Sequence, residues 1–285
     1  MVSTALKVRP LSETFGAEVY GVKLSADMDS ETMTDIRALW LRYELLLFRD
    51  QAMTKDDQVG FSRQIGPLEN HIREEWLNET HPEILQITNI KKDGKPLGAL
   101  ADTEVGWHYD QIYLPKPALA SLLYSIKIPP EGGSTYFADM TAAYARLPLH
   151  LKTIIEGRTA MQSYAAFNAS YSTDINERQA TFSADLTHPI VRTHPYTGRR
   201  ALYICPGMTI GITGVPMDEG KAILQELFDW CVQPEFVYRH DWQLGDALLW
   251  DNACTMHRRD PFDGKHDRLM HRTTILPTME RSIPF

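Results

Sequence analysis

Three side chains with metal-binding chemistry and two arginines stand out in the sequence. His108 and Asp110 are separated by one residue in Trp107-His108-Tyr109-Asp110, and His257 lies far downstream, in the segment that begins at Trp250-Asp251-Asn252. Two imidazoles and one carboxylate, with no fourth protein ligand implied, are the donor set of non-heme iron(II) oxygenases, in which coordination positions stay open. A bidentate co-substrate and dioxygen can then bind the same ion, which is chemistry for activating oxygen. Arg268 follows His257 by 11 positions, and Arg272 follows Arg268 by 4. A guanidinium pairs bidentately with a carboxylate. One arginine can therefore anchor a dicarboxylic co-substrate, and the second can serve an anionic substrate.

These residues need a scaffold that brings distant segments together. A His-x-Asp pair suits the end of a β-strand, where residues i and i+2 project to one face while Tyr109 turns to the other. His257 must then arrive on a strand that returns beside the first. In the segment Arg268-Leu269-Met270-His271-Arg272, strand alternation puts Arg268, Met270 and Arg272 on one face. Short β-type runs cover 84–90, 118–128, 190–194, 201–204, 236–242 and 247–250, with a further buried run at Leu45-Leu46-Leu47-Phe48. Turn signals such as Asp93-Gly94 and Pro129-Pro130-Glu131-Gly132-Gly133 separate them. The expected fold is mainly β with flanking helices, a double-stranded β-helix of the cupin-like jelly-roll kind.

Four helices are expected around this frame. Ser30 caps the first, with Met33, Ile36, Leu39, Trp40 and Tyr43 at helical spacing, and a second starts at Thr54 and stops before Gly66-Pro67. A third begins near Asp139; the fourth, from Asp218 to Cys231, carries Ile223, Leu224, Leu227 and Phe228 on its apolar face. Periodicity fades over 69–106 and 162–187, polar stretches of the kind that cover sites.

The chain of 285 residues is long enough for a sizeable core. No repeat or Gly/Ser/Pro linker divides it, so residues 1–285 read as one domain. Its net charge of −8, from 37 acidic and 29 basic side chains, is spread without a long basic run, which excludes a nucleic-acid groove and leaves a small molecule as the partner. The start lacks the apolar stretch of a signal peptide, and no segment approaches the roughly 20 apolar residues of a membrane span. A cytoplasmic protein with no membrane partner is expected. Cys205, Cys231 and Cys254 are odd in number and far apart, so they read as reduced, buried thiols.

The motifs also resemble a known family, that of the TauD/TfdA dioxygenases dependent on Fe(II) and 2-oxoglutarate. The resemblance runs through Phe15-Gly16-Ala17-Glu18-Val19-Tyr20-Gly21-Val22, Leu47-Phe48-Arg49-Asp50-Gln51 and Phe61 through Glu69. It continues through Trp107-His108-Tyr109-Asp110, Gly132-Gly133-Ser134-Thr135 and Ala138 through Tyr144, and ends on Trp250-Asp251-Asn252, His257, Arg268 and Arg272. It implies that His108, Asp110 and His257 hold the iron, and that Arg268, with Thr135 beside it, binds the distal carboxylate of 2-oxoglutarate. Arg272 would face the substrate's acidic group. His71 and Asn89 fall where relatives contact substrate, although each also suits a loop role, and Trp250 is either a wall of the iron pocket or a plain core residue. Cofactors so implied are Fe(II), 2-oxoglutarate as co-substrate, and dioxygen, the outcome being hydroxylation of a small anionic organic substrate, with cleavage where the hydroxylated carbon bears a heteroatom. Relatives often form homo-oligomers, and this chain is expected to do the same.

One departure bears on the substrate. Herbicide-type relatives carry histidines after the strand that resembles Ala201-Leu202-Tyr203-Ile204, whereas this chain continues Cys205-Pro206-Gly207-Met208. That puts phenoxyacetate itself in doubt. The segments Asp139 to Tyr144 and Phe236 to His240 nevertheless lean toward the herbicide branch, and so toward a carboxylate. The alternatives are a taurine-like sulfonate dioxygenase, a non-catalytic cupin-like binding protein, and a zinc hydrolase, the last lacking an HExxH glutamate.

Overall fold

Leu45–Phe48 is apolar at every position, and all four side chains are buried. A strand covered on both faces has this composition. Leu45 and Leu47 pack into one core while Leu46 and Phe48 pack into another, as the two-residue repeat of a strand requires. The structure, a computed structural model, describes residues 6–69, 78, 80–99, 102–166 and 186–278. His71 lies outside the described residues.

Leu45–Phe48 belongs to a seven-stranded sheet in the order Lys7–Pro10, Ala17–Tyr20, Leu45–Phe48, Ala247–Asp251, Ala120–Lys127, Leu269–Ile275 and Ile84–Thr88. Among the described strands of this sheet, Ala17–Tyr20 and Leu45–Phe48 are the one parallel pair. A second, antiparallel sheet runs Val237–His240, Thr135–Asp139, Thr255–Arg259 and Val105–His108. The two share an apolar core in which Phe137 of the smaller sheet packs with Leu47, Leu123, Leu248, Trp250 and Met270 of the larger. Smaller sheets of two or three strands flank them. The protein is mainly β with helices outside the sheets.

Helices cover the outer faces. Ser30–Tyr43 and Lys55–Ile65 place Ile36, Leu39, Trp40 and Phe61 against Leu46, Phe48, Leu122 and Leu249. The first cap falls one residue earlier than the sequence reading put it. The carboxylate of Asp29, not the hydroxyl of Ser30, accepts from the Thr32 amide at 2.8 Å. Thr54 caps the second helix in a reciprocal box with Asp57. Behind the smaller sheet, Met140–Ala145 and Met217–Cys231 pack Met140, Leu224 and Leu227 around Tyr109 and Met256. All three cysteines are buried free thiols. Among the described residues, no helix is long and apolar enough to cross a membrane.

Candidate metal centre

The smaller sheet brings the two histidines together. Thr255–Arg259 pairs with Val105–His108 so that His257 lies opposite His108, and their ring centroids are 4.1 Å apart. The strand carrying His108 ends at that residue. Asp110 therefore sits in the turn beyond it, one step past the strand end that the His-x-Asp spacing predicts. The outcome for the side chains is the expected one: ligand atoms of His108, Asp110 and His257 all lie within 4.8 Å of one another, and Tyr109 turns away into the core behind the sheet.

Hydrogen bonds fix each donor. His108 Nδ1 donates to the Gly106 carbonyl at 2.8 Å, the type of backbone contact that orients a metal-binding imidazole. Asp110 accepts from the Ser121 hydroxyl at 2.7 Å and from Arg272 at 2.7 Å. Ser121 in turn accepts from the Asn252 amide, whose oxygen takes the Trp250 indole N–H at 2.9 Å. Burial works against ionisation of Asp110, but Arg272, His257, His108 and Ser121 together hold its carboxyl well below the usual range. Burial lowers both imidazoles, with His257 pushed further down by His108. The resulting state, two neutral imidazoles and one carboxylate, is the one a divalent ion requires. His257 Nδ1 is buried with no hydrogen-bond partner among the described residues. Donor chemistry and orphaned atom both fit iron(II).

Next to this centre lies a cavity of about 40 Å³ lined by His108, Thr135, Trp250, His257, Arg268 and Arg272, among others. Arg268 also lines a second hollow of about 280 Å³, walled by the 129–134 turn, Arg239 and Trp242. Arg268 is 2 % exposed, and its Nε has no hydrogen-bond partner among the described residues. Burial, reinforced by Arg259, pulls its pKa down to about 9. A buried cation of this kind is costly, and an anion beside it would offset that cost. Arg268 precedes the strand Leu269–Ile275, and the pairing shifts register at Leu269/Met270. Both arginines nevertheless reach the cavity.

The remaining predicted residues divide. Thr135 lines the cavity, its hydroxyl accepting from the Trp242 indole at 2.9 Å. Trp250 is both wall and core, with its ring 4.9 Å from that of His257. The Asn89 amide is spent on backbone: Nδ2 donates to Gly264 and His266, and Oδ1 accepts from Arg268 N. It braces the approach to Arg268.

The family model for taurine catabolism dioxygenase TauD, TfdA family, matches residues 7–274. The chain belongs to this family. It is a 2-oxoglutarate-dependent dioxygenase, and its cofactors are Fe(II), 2-oxoglutarate and dioxygen. This dioxygenase is 36 % identical to the (S)-phenoxypropionate/alpha-ketoglutarate-dioxygenase of Sphingobium herbicidovorans over 96 % of each chain. It is 34 % identical to the alpha-ketoglutarate-dependent 2,4-dichlorophenoxyacetate dioxygenase of Cupriavidus pinatubonensis, covering 94 % of this chain and 96 % of the relative. Its structure is similar to that of AAD-2 in complex with Mn(II) and N-oxalylglycine, with a TM-score of 0.84 and 30 % identity over 98 % and 99 % of the two chains.

Sequence reasoning on this dioxygenase missed Ser121, Gln111, Tyr113 and Glu69. Gln111 adjoins Asp110, and Glu69 ends one of the family motifs, but no spacing rule marks either. Ser121 is an ordinary strand serine until Asp110 is placed against it.

Proposed function

We propose that His108, Asp110 and His257 hold the iron(II), that Arg268 and Thr135 receive the distal carboxylate of 2-oxoglutarate, and that Arg272 faces the carboxylate of a small organic acid of the aryloxyalkanoate class. In this reading the two large sheets close as a jelly roll in a single domain. The observation that carries it is the convergence of His108, Asp110 and His257, whose two histidines line the same cavity as both arginines. Bound iron supplies the activation of dioxygen and couples it to decarboxylation of 2-oxoglutarate, so that a substrate C–H bond is hydroxylated. The protein's own part is positioning. Ser121 and Asn252 keep Asp110 aimed at the ion, and the apolar walls Ile87, Leu123 and Trp250 keep water from the cavity. Arg272 bonds Asp110 through one nitrogen, while its Nε is buried with no hydrogen-bond partner among the described residues and so retains a donor for an anion. Relatives named for phenoxypropionate and 2,4-dichlorophenoxyacetate support a carboxylate over the taurine-like alternative.

The test is turnover of aryloxyalkanoic acids, their methyl esters and matched sulfonates, scored by succinate with iron-free and anaerobic controls. Arg272→Leu should raise the KM of the acid by at least about tenfold, roughly 1.4 kcal/mol, and leave the 2-oxoglutarate KM within about twofold. Equal use of acid and ester by the wild type would overturn the reading.

A further inference from the structure

The strand Thr255–Arg259 carries His257 and ends, two residues on, in Arg259. Strand alternation sends both side chains to the face that holds the candidate metal centre. Across the sheet, Thr135 pairs directly with Arg259, and directly paired residues stand side by side on one face. Arg259 accordingly lines the same small cavity as His257, Thr135 and Arg268, and it is 6 % exposed. None of the described residues that line this cavity is acidic.

Two further contacts fix where this guanidinium goes. Its Nη2 donates to the Thr103 carbonyl, just ahead of the strand that bears His108. Its Cζ lies 5.4 Å from the centre of the Phe262 ring, and the Arg268 Cζ lies 6.0 Å from the same centre. One aromatic side chain thus borders both cations, and Arg259's charge acts on Arg268, second only to burial in lowering its pKa. Two like charges held together out of water are costly, and one anion between them offsets the cost for both. A hydroxyl donor stands beside them: the Thr135 oxygen accepts from Trp242, which leaves its own proton to donate.

We propose that Arg259 is a second anchor for the distal carboxylate of 2-oxoglutarate, which it clamps together with Arg268 and Thr135. This rests on the reading that places that carboxylate at Arg268. A carboxylate offers two oxygens with about four lone-pair directions, enough for two guanidiniums and a hydroxyl. The second cation also sets specificity. A 2-oxo acid without the distal carboxylate brings no charge to either arginine, so the clamp favours dicarboxylic over monocarboxylic 2-oxo acids more steeply than Arg268 does alone. Because Arg259 also holds the Thr103 carbonyl, co-substrate binding and the segment leading to His108 share one side chain.

Binding is measured by calorimetry on the Mn(II)-loaded protein with N-oxalylglycine and with N-ethyloxamate, which keeps the chelating head but ends in a methyl group. Arg259→Met, which removes the charge and keeps much of the stem, should weaken N-oxalylglycine by about tenfold and N-ethyloxamate by less than about threefold. Arg259→Gln, which keeps an N–H donor for the Thr103 carbonyl, should do the same, so a failure of one variant to fold leaves the test standing. In turnover the KM for 2-oxoglutarate should rise in step, while the substrate KM stays within about threefold. N-oxalylglycine binding within about threefold of wild type, or equal weakening of the two ligands, is what an arginine that only braces the segment before His108 gives, and overturns the proposal. Arg268→Ala separates this from the reading beneath it. If that variant loses the preference for N-oxalylglycine and the Arg259 variants keep it, Arg259 alone is misassigned. If Arg268→Ala keeps the preference, or the wild type binds both ligands equally, the carboxylate site itself is misplaced and both readings fall.

Discussion

Arg268 concentrates the energetics of the site in one side chain. It is buried with no counter-anion among the described residues, beside Arg259, and its pKa is drawn down to about 9. In the proposed role the co-substrate's distal carboxylate supplies the missing charge and gains a charge-assisted, bidentate contact worth roughly 1.5–3 kcal/mol. Arg268→Ala should accordingly raise the KM for 2-oxoglutarate by at least about tenfold and leave the substrate KM within about threefold. Steady-state kinetics with each component varied separately checks this, and an unchanged 2-oxoglutarate constant would remove the assignment. The variant should not unfold the protein, because removing a buried unpaired charge relieves a cost.

Among the elements, the turn 130–133 matters most for how Arg268 is held. Gly132 and Gly133 have φ of 77° and 69°, in the left-handed region that side chains avoid. A Cβ on Gly132 would stand 2.8 Å from the Pro261 carbonyl oxygen and 3.1 Å from the Phe262 Cα. Neither backbone atom can swing aside as a flexible side chain can. Gly133 lies 3.4 Å from the Arg268 Nε by the same construction. Gly132→Ala should cost about 1–3 kcal/mol in urea unfolding. Because the displaced turn borders Arg268 and leads into Thr135, the KM for 2-oxoglutarate should rise in the same variant. A loss of stability with co-substrate binding intact would show that the turn braces the sheet without shaping the pocket.

For the whole molecule, one source of electrostatic tension lies away from the candidate iron site. Glu44 is buried where the helix Ser30–Tyr43 ends, accepts from the Thr141 hydroxyl, and pairs with Arg199 at 3.1 Å. Burial first, then the nearby Asp139, raises its carboxyl from 4.5 to about 8. A folded pKa above the unfolded one means that the native state holds the proton more tightly, so this group's stabilisation is full below 4.5 and is lost as pH rises toward 8. Thermal melts from pH 5 to 8 should therefore fall more steeply for wild type than for Glu44→Gln, which cannot ionise. Parallel curves would show that Arg199 keeps Glu44 ionised throughout.

Residue types and local periodicity were enough to locate much of this. Leu45–Phe48, the helices capped near Ser30 and at Thr54, and the strand bearing Arg272 were legible because alternation and capping are decided within a few residues of chain. His108, Asp110 and His257 were legible as a set because few other chemistries ask for two imidazoles and a carboxylate without a fourth ligand. Tertiary structure decided what lies between distant segments. That His257 pairs across from His108, that Ser121 and Asn252 steady Asp110, that Asn89 is spent on backbone, and that Glu69 reaches Gln111 beside Arg272 all depend on sheet order and register. Such contacts join residues from 11 to 179 positions apart in the chain. No local preference encodes them, because the free energy that selects them comes from burying two sheets and their helices together.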